Sequence, residues 1–369
     1  MPEIAEHVDP LVAEIYAAYE KAGAAEKQRT YLGASIIGKE CARSLWYAFR
    51  WAAKEKFDGR MLRLFQSGHL AEPRFVADLR AIGCTVFDVD PATGKQFGFA
   101  DHGGHARGHM DGCAKGVPGG GAKYHVVEFK THSTKSFSTL KKDGVKKAKP
   151  EHFAQMTWYM GQSGMDRALY LAVNKDTDEL YSERIPFDTI EYAKIQQRFE
   201  SIIFAETPPP KISEDPKYYI CNMCSQKAVC HGHRVPAKTC RSCCHSTPER
   251  EGDARWSCAK HPDGRNSSIP VEVQRAGCPQ HLPLPFLVTY ADATDAADGW
   301  IEFKRKDNGI AFIVAVCKEA IPAEVIGRYA SVPPIYTSAE ISAAEDHRAI
   351  GDPGVEDLRT AFPGSTIVG

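Results

Sequence analysis

Apolar positions recur with helical and strand periods along the first two-thirds of the chain. Leu11, Ile15 and Tyr19 follow Asp9-Pro10 at four-residue spacing, which predicts a capped amphipathic helix. Further helices are predicted from residue 35, over 61–82 with a break near 68–73, over 150–164 and over 190–205. Strands are predicted over 84–90, 108–113, 124–130, 168–174 and 181–186. Helices and strands are therefore interspersed up to about residue 205.

A cysteine-rich region separates this part from a second patterned part. The run Pro208-Pro209-Pro210 ends the preceding helix, and strands resume only over 286–290, 300–304 and 311–316. Acidic residues dominate over 338–357, where we expect a loose tail. The pattern predicts three domains, over 1–235, 236–285 and 286–369. The first carries the helices and strands, the second the cysteine-rich module, and the third a small β-rich segment with the acidic tail.

Composition and charge narrow the class of protein. The chain has 369 residues, of which 43% are hydrophobic and 25% charged, and these values exclude collagen, a coiled coil or overall disorder. The longest apolar run, 310–317, is too short to cross a bilayer, and the first residues lack a signal-peptide pattern. We therefore expect a cytoplasmic protein without a membrane partner. The net charge of −1 leaves nucleic-acid binding to local basic patches.

Twelve cysteines are more than a cytoplasmic protein needs as core residues, and disulfides are rare in that compartment. Four of the cysteines are scattered: Cys41, Cys84, Cys113 and Cys317. The other eight are clustered: Cys221, Cys224, Cys230, Cys240, Cys243, Cys244, Cys258 and Cys278. Clustered thiols in a reducing compartment are typical of metal sites.

Two carboxylates and a lysine lie on neighbouring predicted strands. Side chains two apart in a strand share a face, so Glu128 and Lys130 point the same way, and a hairpin would bring Asp111 close to them. Two carboxylates suit Mg²⁺, which keeps several waters and acidifies one of them, and a nearby ammonium can orient that water. This set is typical of phosphodiester hydrolysis. The alternative is a surface Glu–Lys pair on an amphipathic strand, which is common for such a triplet taken alone.

The helix predicted over 150–164 carries Gln155 and Tyr159 one turn apart on one face. With Asp111, Glu128 and Lys130 before this pair, the chain resembles PD-(D/E)XK nucleases of the RecB-like branch, which have a Gln-x-x-x-Tyr motif. The resemblance implies an α/β fold with a mixed sheet flanked by helices. It implies that Asp111 and Glu128 hold Mg²⁺ or Mn²⁺ and that Lys130 orients the attacking water. Gln155 and Tyr159 would then position the DNA strand.

An upstream motif of the same branch has its counterpart in Gly68-His-Leu-Ala-Glu72. Its last position holds Glu72, which is similar to phage exonucleases of the λ type, whereas RecB has a histidine there. The resemblance implies that Glu72 completes the metal site, directly or through a water. His69 lies on the same side of the predicted helix as a possible assistant, and a partly exposed surface histidine is the equal alternative.

A further resemblance concerns Cys41 and the closely spaced Cys221, Cys224 and Cys230. AddB-type nucleases and their CRISPR-adaptation relatives hold a [4Fe–4S] cluster with one N-terminal and three C-terminal cysteines, and the order here is similar. The resemblance implies that these four thiolates hold such a cluster and tie the ends of the nuclease domain together. Zinc is the alternative metal, because four thiolates suit either. Cys41 is expected within the helix predicted from residue 35.

The remaining clustered cysteines suit a second metal site. Cys240 and Cys243 form a Cys-x-x-Cys pair, and Cys258 and Cys278 follow at gaps that suit tetrahedral zinc. We expect these four as ligands, with His281 as the first substitute. Several ligand combinations stay open, because other candidates lie nearby: Cys244, His245 and His261. This module is not part of the nuclease pattern.

Taken together, the resemblance implies a metal-dependent deoxyribonuclease, an exonuclease of DNA recombination, repair or phage DNA processing. It would act in the host-cell cytoplasm if the chain is phage-encoded. Lysines of the stretch 130–149 would contact DNA phosphates, and a solvated surface loop is the competing interpretation for each of them. Two alternatives stay open, namely a DNA-end-binding protein that keeps the fold without cutting and an iron–sulfur redox protein.

Overall fold

The computed structural model of the protein describes residues 9–232, 234–329 and 333–343. Its α-helices are α1 Pro10–Ala25, α2 Ala42–Phe49, α3 Gly59–Ala81, α4 Thr134–Ala148, α5 Pro150–Ser163, α6 Thr189–Ile203, α7 Tyr219–Asn222, α8 Lys227–Cys230, α9 Val271–Ala276, α10 Ala323–Ile326 and α11 Ser338–Ala343. Its strands are β1 Leu32–Gly33, β2 Thr85–Phe87, β3 Gly98–Asp101, β4 Ala106–His109, β5 Gly112–Lys115, β6 His125–His132, β7 Arg167–Asn174, β8 Leu180–Pro186, β9 Ser246–Pro248, β10 Trp256–Cys258, β11 Ala291–Ala297, β12 Trp300–Arg305, β13 Ala311–Ala315 and β14 Ile335–Tyr336. None of the helices in these ranges is long and apolar enough to cross a membrane.

The chain forms two compact units, and each takes segments from separate parts of the sequence. Of the described residues, those up to Glu40 and Glu55–Ser201 form unit 1, whereas Cys41–Lys54 and those from Ile202 onward form unit 2. The predicted boundaries at 235/236 and 285/286 do not coincide with this division. The reason is that the short segment 41–54 joins unit 2 through distant contacts, such as the 3.0 Å hydrogen bond from Trp46 Nε1 to the Ala205 carbonyl.

Unit 1 is built on a mixed five-stranded sheet in the order β2-β5-β6-β7-β8. β6 and β7 are parallel, and the other neighbours are antiparallel. A parallel pair needs a crossover connection, which α4 and α5 supply between β6 and β7. A second sheet, in the order β1-β4-β3, completes the strands of this unit that the structure describes. The expected mixed α/β architecture is confirmed.

The long helix α3 packs its apolar side on the five-stranded sheet. Phe75 of α3 stacks on Phe129 of β6, with the ring centroids 5.1 Å apart. The core at this interface consists of apolar side chains: Phe75, Val76, Leu79, Cys84, Val86, Ala114, Val117, Val127, Phe129, Leu169, Leu171 and Val173. The predicted break near 68–73 is wrong, because α3 runs through Pro73 without ending. Its packing on the sheet offsets the hydrogen bond that proline removes.

Two other expectations for unit 1 are corrected. The strand predicted over 108–113 is two strands in different sheets, β4 and β5, and Met110 and Asp111 lie in the connection between them. Gly112 permits this switch, because its φ is +148° and a Cβ there would collide with the Phe87 carbonyl. The lysine-rich stretch is not a loop but the helix α4, because it buries Phe137, among other apolar residues, along one side.

Unit 2 contains a four-stranded sheet in the order β11-β12-β13-β14 and a hairpin of β9 and β10. β11, β12 and β13 are antiparallel, and β14 is parallel to β13. Apolar side chains form one core cluster: Val235, Leu282, Val288, Tyr290, Ala291, Ile301, Phe303, Phe312, Val314, Tyr336 and Ile341. A second cluster contains Trp300, Ile313, Ala315, Ile321 and Val325. Because strand neighbours such as Phe312 and Ile313 belong to different clusters, both faces of this sheet are covered.

In unit 2 one predicted strand and one predicted helix start differ from the structure, and a third expectation lies mostly outside the described residues. The segment 286–290 is not a strand, because Pro285–Leu287 forms a 3₁₀ turn and the first strand begins at Ala291. The helix predicted from residue 35 begins at Ala42, so Cys41 is its N-cap residue and not part of the helix. The acidic tail predicted over 338–357 lies outside the described residues, apart from the segment up to residue 343.

Candidate active site and cysteine clusters

Asp111 is held beside β6 by a backbone hydrogen bond. Its Oδ2 accepts from the Phe129 amide at 2.8 Å. That amide lies between Glu128 and Lys130 in the chain, so the bond fixes the Asp111 carboxylate beside both. The predicted hairpin is formed by β5 and β6, in which Gly112 pairs with Val127. The structure therefore brings Asp111, Glu128 and Lys130 together.

Glu128 and Lys130 form an ion pair. Lys130 Nζ donates to Glu128 Oε1 and, at 3.2 Å, to the carbonyl oxygen of Phe129. Burial raises the pKa of Glu128 to about 8 although Lys130 opposes this shift, and the charges of Asp111 and Glu72 add to it. Burial also disfavours the Lys130 ammonium, but the surrounding carboxylates outweigh burial and raise the pKa of Lys130. Lys130 is therefore a permanent cation and not a base at neutral pH.

Glu72 of α3 is the third carboxylate of this cluster. Its charge acts on both Glu128 and Lys130, and its Oε1 lies 3.2 Å from His69 Nδ1. Glu128 is fully buried, and its Oε2 has no hydrogen-bond partner in the described structure. A buried carboxylate oxygen without a partner is costly, and a divalent cation would satisfy it. The donor set fits Mg²⁺ or Mn²⁺.

Gln155 and Tyr159 of α5 are buried. The Tyr159 hydroxyl donates to the carbonyl oxygen of His109 at 2.7 Å and also interacts with the Gln155 side chain. Burial raises the pKa of Tyr159, so the hydroxyl stays a neutral donor. A Cβ at Gly108 would lie 2.7 Å from this hydroxyl oxygen, so only glycine fits there. Tyr159 thus holds the end of β4, two residues before Asp111.

A polar network that the sequence pattern did not predict lies at the end of β6. The Tyr170 hydroxyl lies 2.8 Å from His132 Nε2 and 2.9 Å from His152 Nδ1. On its other side His132 Nδ1 lies 3.1 Å from the Ser136 hydroxyl, which accepts from Lys149 Nζ at 2.6 Å. Burial lowers the pKa of His132 to about 4 and that of His152 to about 2, so both rings are neutral. The two-residue spacing along β6 is the signal that could have found His132.

Two lysines of α4, predicted to contact phosphates, form exposed ion pairs. Lys141 Nζ lies 2.5 Å from Glu179 Oε1, and Lys147 Nζ lies 3.0 Å from Asp143 Oδ1. Exposed pairs of this kind contribute about 0–1 kcal/mol, so a phosphate can compete for either lysine. The DNA contact of this helix stays a prediction.

The four cysteines of the first set line one pocket of unit 2. Cys41 precedes α2, Cys221 belongs to α7, and Cys230 ends α8. Cys41 acts electrostatically on Cys221 and on Cys230, so these sulfurs are neighbours. Cys224 lines the same pocket, and the hydroxyl of Tyr47 interacts with the Cys230 sulfur. Four convergent thiols fit a [4Fe–4S] cluster or tetrahedral zinc.

The four expected cysteines of the second set also converge within unit 2. Three thiols act electrostatically on Cys240: those of Cys278, Cys243 and Cys258. Burial, together with these thiols, raises the pKa of Cys240 to about 12. The suggested substitute, His281, directs its Nε2 to the Ser242 hydroxyl at 3.3 Å. The chemistry of the thiol set fits zinc.

The side chains of these three clusters do not stand in metal-binding geometry. Within residues 9–232, 234–329 and 333–343, no group of three or more His, Cys, Asp or Glu side chains stands in an arrangement that could hold a metal ion. At each of the three clusters the donors are neighbours. Metal binding at any of them therefore requires its side chains to turn to other rotamers.

Comparison with known proteins gives structural resemblances only. No protein-family model and no curated protein matches the chain. Among solved structures it resembles an alkaline exonuclease (LHK-Exo) from Laribacter hongkongensis, with 17% identity, 52% of this chain and 90% of that chain covered, and a TM-score of 0.33. A phage-related exonuclease from Haemophilus somnus has 15% identity, 47% and 91% coverage and a TM-score of 0.33. SSO0001 has 13% identity, 60% and 96% coverage and a TM-score of 0.37. Such low TM-scores do not establish a shared fold, so the RecB-like and AddB-type relationship stays a prediction.

Proposed function

We propose that unit 1 is a metal-dependent deoxyribonuclease of the PD-(D/E)XK type. The observation that carries this proposal is the convergence of Asp111, Glu128 and Lys130. The Phe129 amide, which lies between Glu128 and Lys130 in the chain, holds the Asp111 carboxylate, and one Glu128 oxygen has no partner among the described residues. Two carboxylates and an ammonium held at one place are the groups that phosphodiester hydrolysis needs.

Each residue of the site has its own role in this proposal. Asp111, Glu128 and Glu72 would hold Mg²⁺ or Mn²⁺, which supplies Lewis acidity and lowers the pKa of a bound water. Lys130 stays protonated, so it orients the water and stabilises negative charge that develops on the phosphate. Its two anchors, Glu128 Oε1 and the Phe129 carbonyl, limit the positions that its ammonium can take.

Gln155 and Tyr159 are positioning residues in this proposal. The Tyr159 hydroxyl holds the His109 carbonyl, and His109 is two residues before Asp111. Gln155 interacts with the same hydroxyl. Together they set the place at which the chain leaves β4, and with it the Asp111 carboxylate. In this proposal the pair positions the DNA strand indirectly, through the place of the Asp111 carboxylate.

The substrate in this proposal is DNA, and the exonuclease subtype belongs to the proposal as well. Exposed lysines of α4 are the positive groups that would contact phosphates. The process would be DNA recombination, repair or phage DNA processing.

We propose, in addition, that Cys41, Cys221, Cys224 and Cys230 hold a [4Fe–4S] cluster. Their common pocket and their mixed origin, one cysteine before α2 and three after residue 220, support it. The role of such a cluster here is structural. Iron and sulfide analysis of anaerobically purified protein tests the assignment, and zinc in place of iron would contradict it.

Cleavage of end-labelled DNA with Mg²⁺ or Mn²⁺ tests the nuclease proposal. Wild type should cut, EDTA should stop cutting, and Lys130→Met should be inactive while it stays folded. The matched control is Lys175→Met, which removes an exposed lysine just after β7. Binding of DNA ends without any metal-dependent cutting would favour the end-binding alternative instead.

A further inference from the structure

We propose that Cys240, Cys243, Cys258 and Cys278 of unit 2 form a structural zinc site that holds the cysteine-rich module together. The site is independent of the proposed nuclease and would exist whether or not unit 1 cuts DNA. It is also separate from the first cysteine set, because it shares no residue with the pocket of Cys41.

The first argument is a repeated turn around the sulfurs. The Cys258 sulfur accepts from the Lys260 amide at 3.4 Å. The Cys278 sulfur accepts from the Gln280 amide in the same way. Hydrogen bonds donated to sulfur stabilise the thiolate over the thiol. A cysteine that only fills a core needs no such bond, so the repetition indicates sulfurs that are positioned as hydrogen-bond acceptors.

Cys243 shows the same turn, with further donors. The amide of His245, again two residues on, donates to its sulfur, and so does the amide of Leu282. The Cys244 side chain is a further hydrogen-bond partner of this sulfur. In the proposed site Cys243 is the ligand and Cys244 is its neighbour.

The second argument is that the backbone brings the three loops to one place. In the β9–β10 hairpin, Cys258 pairs with Ser246, which follows the Cys240–Cys243 turn. An isolated bridge pairs Cys243 with Pro283, so the loop that begins at Cys278 returns to the same turn. The convergence therefore follows from main-chain register and not only from side-chain placement.

The third argument is that the four thiols are neighbours of one another. Four thiolates cannot share one place without a cation, and a divalent metal displaces their protons. Zinc suits the set best, since a closed site with four thiolates is typical of structural zinc. The side chains must still turn to close around the ion.

The residues around the ligands indicate which part of unit 2 the site would stabilise. Arg241, between the first two ligands, is buried with its guanidinium 4.0 Å from the Trp51 ring centroid and 4.8 Å from that of Trp256. Its Nε donates to Gln274 Oε1 at 3.0 Å. Trp256 lies two residues before Cys258, so closure of the zinc site would lock this stack in place.

Metal analysis of the full chain tests the proposal. Cys258→Ser and Cys278→Ser should each lose about one zinc per chain, while their iron content stays at the wild-type level. Cys244→Ser and the exposed Cys317→Ser should retain zinc. If a ligand variant fails to fold, cobalt(II) substitution of the wild-type chain supplies the second readout. The absorption of bound cobalt should indicate four sulfur ligands and should not change in His281→Asn.

Several results would overturn the assignment. One is a wild-type chain that contains no zinc and binds no cobalt. Another is full zinc in both folded ligand variants. A cobalt spectrum with a nitrogen ligand that His281→Asn removes would replace the fourth thiolate by the imidazole. None of these results depends on DNA cleavage, so failure of this site and failure of the proposed nuclease are distinguishable.

Discussion

The carboxylate site of unit 1 and the cysteine clusters of unit 2 bring reactive groups together by different means. In unit 1 a central strand of a sheet carries Glu128 and Lys130, and its backbone holds Asp111. In unit 2 most thiols come from short turns and one-turn helices. The carboxylates are offset by the ammonium of Lys130, whereas the thiols of each set mainly face one another. The proposed active site is therefore positioned by a strand inside a sheet, whereas the cysteine clusters are positioned by turns and short helices.

The cations of the two units differ in their surroundings. Lys130 is half-buried next to carboxylates, where its charge would serve the proposed site. Arg241 and Arg50 of unit 2 instead lie over aromatic rings, and burial lowers their pKa values to about 9 and about 10. These guanidinium groups also donate to carbonyl oxygens, Arg50 to that of Ala205 and Arg241 to that of Phe49. The cation thus belongs to the proposed reaction centre in unit 1 and to a packed aromatic cluster in unit 2.

The largest expected effect separates chemistry from folding in unit 1. Asp111→Asn and Lys130→Met should each reduce DNA cleavage about 10³-fold or more, because several kcal/mol of transition-state stabilisation disappear. Iron and zinc contents, measured on the same samples, should not change. Cutting rates on end-labelled DNA give the result, and near wild-type rates in both variants would contradict the assignment.

The next effect concerns unit 2. Cys41→Ser should lose iron, brown colour and thermal stability together, because a cluster that joins Cys41 to Cys221 closes a very long loop. Elemental analysis and thermal melting measure both consequences, with Cys317→Ser as the control. A Cys41→Ser protein with a full cluster would show that another group is the fourth ligand.

A smaller effect tests how tightly the sheet holds the site. Gly108→Ala should destabilise the protein by about 1–3 kcal/mol, because its Cβ would press on the Tyr159 hydroxyl. Gly68→Ala is the matched control. Its Cβ would meet only Thr131 Oγ1 at 3.9 Å, so helix propensity predicts a gain of about 0.5–1 kcal/mol. Urea denaturation measures both, and equal stability of the two variants would contradict the close contact at Gly108.

The smallest effect is a pH dependence. The pKa of His132 in the folded protein, about 4, lies below its usual value, so the unfolded chain binds the proton more tightly. The neutral His132 ring makes its full contribution to the free energy of unfolding above about pH 6.5. That contribution is lost as the pH falls through about 4. His132→Gln should therefore flatten the decline of the unfolding free energy between pH 6.5 and 4. Identical slopes in denaturant titrations would show that the His132 ring is not buried and neutral.

Several elements could be predicted because their causes are local. Asp9 caps α1 through the Leu11 amide at 2.8 Å, as the sequence indicates. The helix after Pro150 ends before Gly164, whose φ of +71° suits a C-terminal cap. Proximity of Asp111 to Glu128 followed from strand periodicity and the hairpin. Each of these features depends only on residues close in sequence or on the pairing of two strands.

The features that differ from the sequence-based expectations have long-range causes. Helix α3 passes through Pro73 because the sheet supports it, and the lysine-rich stretch is helical because it buries apolar residues on neighbouring elements. Segment 41–54 belongs to unit 2 through contacts with residues far along the chain. Local propensity contains none of this information, because the energy comes from burial against distant segments.

The sequence by itself determined which groups are available: an Asp, two Glu and a Lys in a nuclease-like order, and two sets of cysteines at metal-like spacing. Only the tertiary structure decided how these side chains are buried and which hydrogen bonds they make. The Phe129 amide fixes Asp111, one buried Glu128 oxygen has no partner in the part of the chain that the structure describes, and two backbone amides donate to the Cys243 sulfur. The reason is physical, because the charge and reactivity of a side chain depend on burial and hydrogen-bond partners, which the fold alone supplies.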